Sequence, residues 1–116
     1  MITFGSNQRY WLYTGVTDMR KSFDGLCGIV RRELDSDPQC GEVFVFVNRR
    51  RDRIKLLVWD RSGFVLYYKR LESGTFELPL NPAGQKSCSL SWQQLVLILE
   101  GVALQSVRQR RRYRRV

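Results

Sequence analysis

The chain contains no histidine. That removes a histidine-dependent nucleophile triad, a histidine general base at neutral pH and the usual Cys/His zinc sites. Cysteine is sparse and odd in number: Cys27, Cys40 and Cys88, with no CxxC. A disulfide framework or metal knuckle does not fit, and reduced thiols do. Cys27 and Cys88 sit among apolar neighbours and read as small core residues. Long apolar runs are also missing. Leu95 to Leu99 is as long as they get, far below the roughly 20 residues that span a bilayer. The first residues, Met1 to Arg9, show no apolar stretch behind a basic start. A soluble, cytoplasmic protein without a membrane partner is the expectation.

Acidic residues are few. Asp plus Glu number 11 against 20 Lys plus Arg, a net charge of +9. The excess is uneven. Arg108, Arg110, Arg111, Arg112, Arg114 and Arg115 put +6 into the last nine residues; the rest carries 14 bases against 11 acids. A basic run of this kind calls for an anionic partner, usually nucleic acid. A merely solvated tail is the alternative. At 116 residues and 43% hydrophobic, the chain has material for one modest core. One domain over 1–106 and a basic tail over 107–116 are expected.

Periodicity supplies the elements. Tyr10 to Thr14 is aromatic and β-branched, a short strand. Met19, Phe23, Leu26, Cys27, Val30 and Leu34 form one helical stripe, with Thr17 or Asp18 as cap. Gly25 and Gly28 weaken that helix and suggest a close neighbour. Val43 to Val47 is wholly apolar, a central strand covered on both faces. Arg53 to Asp60 and Phe64 to Leu71 complete an antiparallel meander, with Gly63 supplying positive φ at the turn. If Asp60 pairs with Gly63, Trp59 faces Phe64, Lys55 faces Tyr68 and Arg53 faces Arg70. Phe76 to Leu78 suggests a short strand, and Lys86 to Leu90 an edge strand. Ser91 and Gln94 form a capping box for a last, heavily buried helix that Gly101 stops. The fold class expected is α+β: a mainly antiparallel sheet of about five strands with two flanking helices.

Four blocks of residues then stand out. The first is Thr14-Gly-Val-Thr-Asp-Met-Arg-Lys-Ser-Phe-Asp-Gly-Leu26. The second runs from Val43 through Asn48-Arg-Arg-Arg-Asp-Arg53 to Leu57. The third joins Trp59-Asp60 and Gly63 to Tyr67-Tyr-Lys-Arg-Leu-Glu-Ser-Gly74. The fourth is Leu95 to Gly101. Together they resemble the accessory, second-frame protein (TnpB-type) of the IS-sixty-six group of bacterial insertion sequences. One departure is that Gly74-Thr-Phe76 leads into Glu77-Leu-Pro79, where the family pattern often has Trp-Pro. The resemblance implies a non-enzymatic accessory protein of transposition. It would act beside a separate DDE-type transposase that carries the chemistry.

Four basic groups are candidate contacts. Arg49, Arg50, Arg51 and Arg53 sit at a hairpin tip, where arginine forks grip phosphate oxygens; local pairing with Asp52 is the bland alternative. Lys55, Lys69 and Arg70 interleave with Trp59, Phe64 and Tyr68, a pattern able to stack bases or simply to form core with lysine stems alongside. Arg20 and Lys21, near Asp18 and Asp24, are candidates for contact with the transposase or for local pairing. The arginine tail is the fourth. Catalysis finds no support. Asp52 and Asp60 end one strand, about 25 Å apart over eight residues, too far to share an ion. No metal or organic cofactor is implied. DNA is the expected partner. A protein–protein adaptor with an exposed patch from Tyr10, Trp11 and Tyr13 or from Val102 and Leu104, and an RNA-binding module, remain alternatives.

Overall fold

The computed structural model describes residues 4–81 and 84–101. Five strands and two helices follow in order. These are β1 (Tyr10–Tyr13), α1 (Phe23–Arg32), β2 (Val43–Val47), β3 (Arg53–Asp60), β4 (Gly63–Arg70), β5 (Ser87–Leu90) and α2 (Trp92–Glu100). They build one sheet in the order β4-β3-β2-β1-β5. The expected α+β class holds, and the meander of β2, β3 and β4 is antiparallel throughout. The exception is β1, which runs parallel to β2, with α1 in the connection between them.

Strand β2 is central because its residues are apolar on both sides. Every residue of Val-Phe-Val-Phe-Val is buried. Val43, Val45 and Val47 join Tyr10, Leu12, Ile54, Leu56 and Val58 in a core that includes Leu95 and Ile98 of α2. Phe44 and Phe46 turn the other way, into a second core with Leu26, Cys27, Ile29 and Val30 of α1. The helices therefore cover opposite faces of the sheet. Each fully buried side chain of this kind contributes about 1.5–3 kcal/mol.

Helix α1 departs from expectation at its start. It begins at Phe23, after Ser22, and no side chain caps it. Asp18 lies too early, and its Oδ1 accepts from the Arg20 backbone N–H within the preceding loop. Thr17 is buried, its hydroxyl finds no partner, and its N–H donates to Val47 O at 3.0 Å. With the helix starting this late, Phe23 is 42% exposed and Ile29 takes a core position in its stead. Met19 and Leu34 pack from the flanking loops. The close neighbours of Gly25 and Gly28 are the side chains of Lys21 and Arg32, not another strand. Cys27 is buried within this layer, and burial pushes its thiol pKa up, leaving it a packing residue.

Helix α2 matches the signals at its ends, but only Leu95 and Ile98 are buried, so it is less covered than its apolar run suggests. The Gln94 N–H donates to Ser91 Oγ at 3.0 Å, and the Ser91 N–H to Gln94 Oε1 at 2.9 Å. Gly101 closes the helix at φ 79°. We expect Ser91→Ala to lower stability by about 1 kcal/mol. That is a fall of about 4 °C in Tm by differential scanning calorimetry.

The remaining differences are local. Phe76 is buried, but 76–78 is not a strand. At the β3–β4 turn the positive φ falls on Arg61, at 54°, and not on Gly63. Edge strand β5 forms as expected, pairing with β1. That pairing places β1 inside the sheet. Tyr10 is only 1% exposed, and Trp11 and Tyr13 are half-buried. The apolar patch that the adaptor alternative would take from these three is therefore not a free surface. Val102 and Leu104 lie outside the described residues.

Candidate nucleic-acid interface

The turn between β2 and β3 is organised by one side chain. Asn48 Oδ1 accepts from the N–H groups of Asp52 and Arg53, at 3.1 and 3.0 Å. Its Nδ2 donates to Asp52 Oδ1 at 2.7 Å. Two further bonds fasten the turn to the chain that follows β4. The Leu71 N–H donates to Asp52 O and the Phe76 N–H to Arg51 O, both at 2.7 Å. Arg51 itself holds φ 58°, a region that L residues enter at a cost.

This arrangement decides what Asp52 does. Its carboxylate is engaged by Asn48, and the ion pairs described do not include Arg49, Arg50 or Arg51. The three side chains are exposed on a held backbone. The β3–β4 register adds two more arginines at the same end of the sheet. Arg53 stands directly opposite Arg70, Lys55 opposite Tyr68 and Trp59 opposite Phe64. Like charges directly across a strand pair repel. Arg70 is partly offset by Glu72 at 2.9 Å, in an exposed pair. That hydrogen bond raises the Arg70 pKa further.

Two expected contacts sit elsewhere. Lys55 is 5% exposed. Its Nζ donates to Met19 O at 2.8 Å and Lys21 O at 2.6 Å, and lies 4.6 Å from the centre of the Tyr68 ring. The ammonium is a clamp that pins the loop before α1 onto the sheet, so it is not available to a ligand. Lys69 points to the opposite face, where its Nζ donates to Leu99 O at 2.8 Å. A cation at the last turn of α2 is favoured by the helix dipole.

The loop before α1 is also internally paired. Arg20 grips Asp18 through Nε and Nη2, the latter at 2.6 Å. Arg20 holds the Asp18 carboxyl at about 2, well below the usual carboxylate range. Lys21 is exposed beside it. The six arginines from Arg108 to Arg115 lie outside the described residues. Among the described residues, no group of three or more Cys, Asp or Glu side chains converges to hold a metal ion. No described helix is long and apolar enough to cross a membrane.

Sequence reasoning missed Asn48 as the organiser of the turn. The signal was present: asparagine at the start of a tight turn bonds backbone groups further along.

A small α+β domain with an arginine-rich end to its sheet is thus the class that fold and site define. The chain belongs to the family described as IS66 Orf2 like protein, whose model matches residues 8–109. It is 36% identical over 94 residues to "Uncharacterized protein y4jC" of Sinorhizobium fredii (strain NBRC 101917 / NGR234), covering 81% of this chain and 79% of that one. A second protein of the same strain, "Uncharacterized protein y4hO", is 36% identical over 102 residues, covering 88% and 87%. No solved structure matches the chain. The family is that of an insertion-sequence accessory product and is not an enzyme family.

Proposed function

We propose that this protein is a non-enzymatic accessory factor of transposition that holds DNA phosphates on its arginine-rich end. The chemistry would be left to a separate transposase. One observation carries the reading: Arg49, Arg50 and Arg51 are exposed on a turn whose own carboxylate, Asp52, is engaged by Asn48. Arginines on a preorganised backbone grip phosphate at low entropic cost. Arg53 and Arg70 extend the patch. The basic tail, Arg108 to Arg115, adds charge that could engage the same polyanion. Arg20 and Lys21 are left as candidate contacts for the transposase, with Arg20 already paired to Asp18.

The test is DNA binding by fluorescence anisotropy across a salt series, with the full chain and with residues 107–116 deleted. Binding should weaken steeply with salt. Each lost phosphate contact should reduce the log–log slope by about 0.9 on duplex DNA. The deletion should keep the circular dichroism spectrum and flatten the slope. Salt-independent binding, or no binding at low salt, would overturn the reading and leave transposase docking as the function.

A further inference from the structure

Resting on that DNA-binding reading, we infer that Arg53, Tyr68 and Arg70 form a subsite for one unpaired nucleotide of single-stranded DNA. The base would stack on the Tyr68 ring, and its phosphate would sit between the two guanidinium groups. The three residues line a shallow, open depression with Glu72. Tyr68 is 47% exposed on the face of the sheet that carries α1. It is absent from the apolar cluster that α1 forms over Phe44, Phe46 and Leu57. The ring is nevertheless held. Lys55 Nζ lies over it at 4.6 Å, and Arg53 Nη1 donates to its hydroxyl at 3.2 Å. A fixed aromatic plane with open surface is what a base needs for stacking.

The two arginines argue for the phosphate. The register sets Arg53 and Arg70 directly opposite each other, an arrangement that costs stability without an anion. Glu72 answers only Arg70, and both members of that pair are more than half exposed. Such a pair is weak, and a polyanion can displace it. Duplex DNA cannot use the ring, because its bases are already stacked within the helix. That difference sets the ligand class.

The experiment compares a labelled oligothymidylate with a labelled duplex of equal length. Tyr68→Leu should weaken single-strand binding about 10-fold and leave the duplex unchanged. Tyr68→Phe, which keeps the ring, should bind the single strand like the wild type. Arg53→Gln should weaken single-strand binding while Tm holds or rises, because the cross-strand repulsion is gone. Glu72→Gln should strengthen it about 3-fold by removing a competing carboxylate. Equal losses on both DNAs for Tyr68→Leu, or no loss on either, would overturn the subsite while leaving duplex binding at Arg49 to Arg51 intact. Absence of binding to either DNA would remove the underlying reading as well.

Discussion

Changing Arg49, Arg50 and Arg51 together to Ala should reduce DNA affinity on the order of a hundredfold at low salt. The same variant should flatten the log–log salt slope by about 2.7, if each arginine neutralises one phosphate on a duplex. The fold should survive. The turn is held by Asn48, Asp52 and backbone bonds, not by the arginine side chains. Arg51 also sits at positive φ, so Ala there neither relieves nor adds strain. Anisotropy titrations at several salt concentrations, with a thermal melt as control, make the measurement. An unchanged slope would mean that the three guanidinium groups are only solvated.

Lys55→Ala should act on stability instead. The substitution removes a buried ammonium and strips two carbonyls, Met19 O and Lys21 O, of their donor. Hydrogen bonds from a charged donor contribute about 1.5–3 kcal/mol each, and the partners are then left under-satisfied. A loss of about 3 kcal/mol is expected, or about 12 °C in Tm for a domain of this size. Backbone amides from Thr17 to Phe23 should exchange faster, because the loop loses its clamp. Duplex DNA affinity of the folded fraction should stay within about 2-fold, since the ammonium is not at the surface. A large affinity loss with Tm unchanged would return Lys55 to the binding surface. Lys55→Met, which keeps the apolar stem, separates packing from charge: it should recover part of the stability and none of the clamp.

Much of the molecule was legible in one dimension. The Val43 to Val47 run announced a strand covered on both faces, because only a central strand can bury five consecutive apolar side chains. The turn Asp60-Arg-Ser-Gly63 was legible as a turn, but its loop length left the β3–β4 register open, since a shift of one residue changes every pair; the structure pairs Asp60 with Gly63. Ser91, Gln94 and Gly101 marked both ends of α2 through local hydrogen bonding that needs no distant partner. The arginines of the β2–β3 turn were legible as a hairpin tip, though not the Asn48 bonds that engage Asp52 there.

The misreadings came where distant parts of the chain compete for one group. Lys55 looked like a surface cation until the loop carrying Met19 and Lys21 closed over it. Lys69 looked similar until the end of α2 arrived beside it. Thr17 looked like a cap until its backbone was drawn to Val47. The parallel pairing of β1 with β2, which buries Tyr10, also depends on where α1 crosses the sheet. Sequence by itself determined where most strands and helices form and that positive charge is in excess. Tertiary structure alone decided which cations remain free for a partner. Local backbone preference acts over a few residues, whereas the fate of a charged side chain depends on carbonyls brought from thirty or more residues away.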